Sequence, residues 1–244
     1  MAGIATFLKN NSYSVFPYEF INKYNTEDVV VYHDNGGYVL HDNKKLYFPK
    51  SWNDAHIQKY YCSLLMDQDI ESPHRYEYND FSVQDGDVVI DAGAAEGIFA
   101  LSVIERAKKV YLVECNSEWF DALEMTFAPW QDRIVIVSKY ISDKSDDTSV
   151  TLDELAGDET VNFIKADIEG AEYRLLTGGK KTLSVLNNLR IALCVYHKKS
   201  DAQDLSRILT ENSFDIEFSK GYMLTGYSPP YLRKGLIRAV KSSQ

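Results

Sequence analysis

The sequence predicts an α/β fold: a mostly parallel sheet with helices on both faces, preceded by a small N-terminal α+β cap. Three observations predict it. Residues 87–100, DVVIDAGAAEGIFA, read as a buried strand, a tight Gly turn and the start of a helix. Residues 109–114, KVYLVE, read as a second strand that ends in an acid, about twenty residues beyond the turn. From there to residue 218, apolar β-branched runs alternate with helical periods.

The N-terminal part carries a different pattern. Residues 1–27 are polar and aromatic, without a clear period. Residues 29–32 and 38–40 flank Asp34-Asn35-Gly36-Gly37, a hairpin-turn signal. A second turn at residues 42–44 leads to residues 46–48, and Pro49 stops that strand, which predicts a small antiparallel meander. Residues 53–70 read as a helix capped by Asn53 or Ser51, with Ile57, Tyr60, Tyr61, Leu64 and Leu65 as its apolar stripe. Residues 72–76, SPHRY, read as a linker. The division falls near residue 80, giving a cap over 1–80 and a cofactor-binding domain over 81–244.

At the central turn, Val88, Val89 and Ile90 suit a strand covered on both faces. Asp91 closes the strand, and Gly93 and Gly97 bracket Ala94, Ala95 and Glu96. Small residues there let a ligand lie against the backbone. The spacing lacks the three glycines of the dinucleotide fingerprint and puts an acid where a diphosphate would sit. S-adenosylmethionine, with an ammonium, a sulfonium and no phosphate, fits that turn. Glu114 stands where a carboxylate accepts from two ribose hydroxyls.

Further along, Ser117 is placed to cap a helix that runs to Phe127 and ends at Pro129. Residues 134–137 form a third strand. After it, Ile141 is expected against an adenine ring, with Ser142 and Asp143 bonding its amino group; a solvated loop reads these residues equally well. Residues 150–155 begin a short helix. The segment 161–172, VNFIKADIEGAE, puts Asp167 at a strand end and Glu169 and Glu172 at the opening of a helix that takes in Leu175, Leu176, Leu183 and Leu186. Three carboxylates within six residues there are costly unless they meet cations or hydroxyls. Residues 190–197 form a fifth strand ending in His197, on the same edge as Asp91, Glu114 and Asp167. A helix from Asp201 to about Asn212 and strands over 214–218 and 222–224 complete the domain. The tail from Tyr231 to Gln244, with Arg233, Lys234, Arg238 and Lys241, reads as a solvated terminal helix. Tyr76, Tyr78, Tyr196 and Tyr227 are expected near active-edge loops.

Composition limits the partners. Formal net charge is −10 over 244 residues, which repels nucleic acid and other polyanions on average. No apolar run is long enough to span a bilayer, and the first residues are too poor in apolar content for a signal peptide. Cys62, Cys115 and Cys194 are odd in number and widely spaced, so a reducing, cytoplasmic setting is expected, with Cys62 and Cys194 as small core residues.

Residues 91–97 (DAGAAEG), 113–116 (VECN), 151–153 (TLD) and 163–172 (FIKADIEGAE) together resemble the FkbM-type S-adenosylmethionine-dependent methyltransferases. The Lys-x-Asp-Ile-Glu-Gly-x-Glu run is that family's most distinctive motif, and the match spans about residues 75–200. Ala95-Glu96 departs from the family's more frequent Asn-Ile. The resemblance implies a Rossmann-like class I methyltransferase sheet of seven mostly parallel strands, the last inserted antiparallel. It implies an O-methyltransferase acting on a hydroxyl of a sugar, glycan or secondary metabolite. It also places Cys115, beside Glu114, among the cofactor contacts. Asp91 and the turn would hold the methionine end, and His197 or Asp167 would be the general base. A divalent cation such as Mg²⁺ on Asp167 and Glu169 would also acidify a hydroxyl, but no third protein ligand can be named, and a metal is not favoured. An NAD-dependent oxidoreductase and a catalytically silent cofactor-binding module are the alternatives.

Overall fold

The structure is a computed structural model and describes residues 2–226 and 228–241. Tyr227, one of the tyrosines expected near the active edge, lies outside the described residues, as do 242–244.

The chain opens with α1 (Ala2–Asn10) and two 3₁₀ turns, Glu19–Lys23 and Thr26–Asp28, where the sequence shows no period. The predicted meander follows: β1 (Tyr32–His33), β2 (Gly37–His41) and β3 (Lys44–Tyr47) pair antiparallel in that order. Only the end of the expected 29–32 strand pairs. Then comes α2 (Asp54–Asp67), whose Asn53 side chain accepts from the His56 N–H and so caps it.

The main unit runs through β4 (Val88–Ala92), α3 (Ile98–Val103), β5 (Lys109–Val113), α4 (Phe120–Phe127) and β6 (Ile134–Val137). A short parallel pair, β7 (Tyr140–Ile141) with β8 (Ser149–Val150), precedes α5 (Leu152–Ala156) and β9 (Phe163–Ala166). Next are α6 (Glu172–Thr177), α7 (Lys180–Val185), β10 (Arg190–Cys194), α8 (Asp201–Glu211) and β11 (Asp215–Phe218). The chain ends in β12 (Met223–Leu224), β13 (Leu232–Arg233) and β14 (Leu236–Val240).

Seven strands form the main sheet in the order β11-β14-β10-β9-β4-β5-β6. The β10-β9-β4-β5-β6 pairs are parallel, and β14 lies antiparallel between β10 and β11. This is the Rossmann-like α/β sheet expected. Alternation along β4 shows both faces covered: Val89 packs with α3, α4 and the cap, while Val88, Ile90 and Ala92 pack with α5 to α8. The first of these clusters also takes in Val39, Leu46, Phe48, Ile57 and Tyr61, so the cap shares a core with the sheet. No helix among the described residues is long and apolar enough to cross a membrane.

The structure corrects several local expectations. The tail is not a solvated helix; it supplies the seventh strand. Leu236, Ile237 and Ala239 are wholly buried, and Arg233, Arg238 and Lys241 are buried too. Their donors end on backbone carbonyls. Arg238 Nε bonds Tyr76 O at 3.2 Å, Arg233 Nη1 bonds Tyr196 O at 2.7 Å, and Lys241 Nζ bonds Ser184 O at 2.9 Å. Residues 222–224, expected as the last strand, form a two-stranded ribbon with β13 instead. The helix expected through Leu186 breaks at Gly178-Gly179, where only glycine fits: a Cβ on Gly178 would sit 2.4 Å from the Ser142 carbonyl and one on Gly179 2.5 Å from Leu152. The cap before α4 is Asn116, whose side chain accepts from Glu118 N, not Ser117. The fifth strand stops at Cys194, three residues short of His197.

Candidate active site

The sheet's carboxyl edge opens into a cavity of about 510 Å³. One end is built by the β4–α3 turn and the end of β5. Gly93 has φ +75° and Gly97 φ +84°. A Cβ on Gly93 would lie 1.9 Å from the Asp167 carbonyl oxygen, so the β4 turn and the exit of β9 meet backbone to backbone. Glu114 Oε2 accepts from Ala95 N at 2.9 Å and Oε1 from Asn116 N at 2.7 Å. These bonds fix the carboxylate in place, and each oxygen keeps a lone pair for a ligand hydroxyl. Gly93, Ala94, Ala95, Glu96, Glu114, Cys115 and Ile141 all line the cavity, as does Lys139.

The other end is organised around Asp167, just beyond β9. Its Oδ1 accepts from the Tyr196 hydroxyl at 3.0 Å, and its Oδ2 from the Tyr76 hydroxyl at 3.1 Å. His74 Nε2 lies 3.3 Å from Oδ2, and His197 Nε2 lies 3.4 Å from Oδ1. Burial alone would raise this carboxyl's pKa, but His74, Lys165 and His197 hold it well below the usual carboxylate range. The neighbouring cations therefore favour the ionised form of Asp167.

Four expected residues stand away from the cavity wall. Asp91 is wholly buried and pairs with Lys165 Nζ at 2.9 Å. Lys165 Nζ also donates to Gly93 O at 2.5 Å, so Asp91 acts on the turn through the lysine rather than facing a ligand. His197 sits behind Asp167. Its Nδ1 lies 2.9 Å from Glu172 Oε1, its Nε2 faces Asp167, and Glu169 is 3.8 Å away. Burial would lower its pKa, but Glu172 and Asp167 raise it, and the ring is held between these two carboxylates. Ser142 is turned into the β7–β8 pairing, its N–H on Val150 O at 3.0 Å. Gly97 also lies off the wall and caps α3 in the left-handed conformation. Glu169 lines the rim at φ +52° with its side chain 85% exposed.

The cap contributes most of what sequence reading missed. From α2, Tyr60, Leu64 and Asp67 line the cavity. The Tyr60 hydroxyl donates to Glu96 Oε2 at 3.0 Å, and burial pushes the Glu96 carboxyl up to about 7. Burial likewise pushes Asp67 up to about 6. The 72–76 segment, read as a linker, delivers His74 and Tyr76 into the site. Of the other expected tyrosines, Tyr196 reaches Asp167, whereas Tyr78 bridges to Phe81 away from the cavity. One signal was available: Lys165 and Asp167, two apart at a strand's end, share a face. Cys62 and Cys194 are buried, and Cys115 is exposed.

A doubly wound sheet, an inserted antiparallel strand, a Gly turn and a carboxylate after the second strand together define the Rossmann-like methyltransferase fold. Residues 135–216 match the family model described as the Methyltransferase FkbM domain. Among solved structures, methyltransferase FkbM from Methylobacillus flagellatus KT matches with a TM-score of 0.55 and 18% identity, over 76% of this chain. This chain spans about half, 53%, of that protein's length. Precorrin-6y C5,15-methyltransferase from Geobacter metallireducens GS-15 matches at TM-score 0.45 and 14% identity, over 66% of this chain and 84% of its own. An rRNA methylase from Streptococcus thermophilus matches at 0.46 and 16%, over 66% of this chain and 90% of its own. None of the curated proteins matches the chain.

Proposed function

We propose that the chain is an S-adenosylmethionine-dependent O-methyltransferase acting on a hydroxyl of a sugar, glycan or secondary metabolite. One observation carries this reading: a single cavity joins the Gly turn and Glu114 to an ionised Asp167. The residues present suit the cofactor. The turn's alanines leave backbone exposed for close approach, Glu114 offers acceptor lone pairs to a ribose, Ile141 offers an apolar face to a base, and acids dominate the wall around a cationic group. When bound, the cofactor supplies an electrophilic methyl group. The chain's own residues do the rest. Glu114 and the turn orient, Tyr60, Trp119 and Phe99 exclude water, and Asp167 accepts the hydrogen bond of an incoming hydroxyl. Aromatic walls suit a sugar ring.

Calorimetric titration with S-adenosylhomocysteine and, in parallel, NADH tests the reading. Micromolar binding of the first alone is expected. Binding of NADH instead, or of neither, overturns it.

A further inference from the structure

We infer that His74, Asp167 and Cys194 form a binding site for one zinc-class divalent cation at the floor of the cavity. The three come from separate segments: the 72–76 loop, the end of β9 and the end of β10. His74 Nε2 lies 3.3 Å from Asp167 Oδ2 and 3.6 Å from Cys194 Sγ. One ligand atom from each residue lies within 4.8 Å of the other two. A tetrahedral ion with N and O bonds of about 2.0–2.1 Å and a sulfur bond of about 2.3 Å has N–O and N–S edges of about 3.3 and 3.6 Å. The two measured edges match. A charge-assisted pair is shorter, as His197–Glu172 at 2.9 Å shows in the same site.

A second cluster, Asp167, Glu172 and His197, does not compete. There the two carboxylates face opposite nitrogens of one imidazole, Nε2 toward Asp167 and Nδ1 toward Glu172, so no single His197 nitrogen serves both. In the first cluster a single nitrogen, Nε2, serves both partners. His74 is 4% exposed and Cys194 wholly buried, so the site is enclosed. The Tyr196 hydroxyl stands beside it, 3.2 Å from His74 Nε2 and 3.0 Å from Asp167 Oδ1, and Tyr76 donates to Oδ2.

The donor set, imidazole, carboxylate and thiol, selects zinc, cobalt or ferrous iron over the oxygen-seeking Mg²⁺ considered from sequence. Cys194 gives up its thiol proton, and His74 the proton on Nε2, to solvent as the metal–sulfur and metal–nitrogen bonds form. His74 and Asp167 line the cavity, so the remaining tetrahedral position opens onto it. Resting on the methyltransferase reading, that position is where the acceptor hydroxyl is bound and acidified.

The test uses the full chain, stripped with chelator, loaded with Zn²⁺ or Co²⁺, passed through gel filtration and assayed for metal. Retention of about one equivalent is expected, with a thiolate-to-cobalt charge-transfer band in the near ultraviolet. The band should vanish in Cys194→Ser, and His74→Gln should weaken binding at least about tenfold. No retained metal, or cobalt bound without the thiolate band in the wild type, overturns the inference. The wild-type spectrum decides even if a variant fails to fold. Titration with S-adenosylhomocysteine on the same sample separates the two readings: cofactor binding without metal sinks only the site, and metal without cofactor binding sinks only the methyltransferase.

Discussion

At the scale of single residues, the site divides by how far apart its partners lie in the chain. Gly93, Gly97 and Glu114 were legible because turn, strand end and acid follow one another within about two dozen residues, and local chemistry fixes them. His74 was not legible. Its sulfur neighbour Cys194 is 120 residues away, and nothing in Ser-Pro-His-Arg-Tyr signals the meeting. His197 was legible as a histidine at the sheet edge but not in its orientation, which Glu172 sets from behind. That placement changes what its loss should do. His197→Ala leaves the buried carboxylates of Asp167 and Glu172 without the imidazole between them. The expected outcome is destabilisation by about 3 to 5 kcal/mol in urea unfolding, beyond any effect on turnover. A variant as stable as the wild type would show that the imidazole does not hold these carboxylates.

At the scale of elements, strands and helices with strong local patterns fell where the sequence put them: β4, β5, β6, β9, α2 and α8. The misreadings share a cause. In the tail, Arg238 and Lys241 look solvated, because sequence cannot show the carbonyls of Tyr76 and Ser184 waiting for them. In α1, a short helix without a sharp stripe carries little signal. Between α6 and α7 the break sits where Ser142 and Leu152, neither of them near in sequence, leave room only for glycine. Deletion of residues 236–244 tests the corrected tail. A solvated helix would be dispensable. A strand between β10 and β11 is not, and the shortened chain should lose its cooperative thermal transition and collect in the insoluble fraction. A soluble, cooperatively melting product would restore the first reading.

At the scale of the whole molecule, the cap and the sheet share one apolar cluster, and they also share a polar link. Tyr60 on α2 donates to Glu96 in the β4–α3 turn. Burial raises the Glu96 carboxyl from its ordinary 4.5 to about 7. The folded state therefore binds this proton more tightly than the unfolded chain. Its contribution to stability is complete below about pH 4.5 and is lost as pH rises through about 7. The lost increment is at most about 3 kcal/mol. Glu96→Gln stays neutral throughout, so its stability should be flatter across that window and should exceed the wild type's at pH 8. Parallel stability–pH curves for the two proteins would show that Glu96 does not titrate in this range.

The position of β14 has a consequence for how the protein is made. Among the described residues, β11 pairs in the main sheet with β14 alone, and β14 is translated after the six strands it joins. While the chain is still on the ribosome, β11 has no neighbour to join and β10 presents an open edge. Five parallel strands can assemble during synthesis, but the sheet closes only when the last one has emerged. In that interval the backbone N–H and C=O groups along β10 that β14 will later pair form an open strand edge.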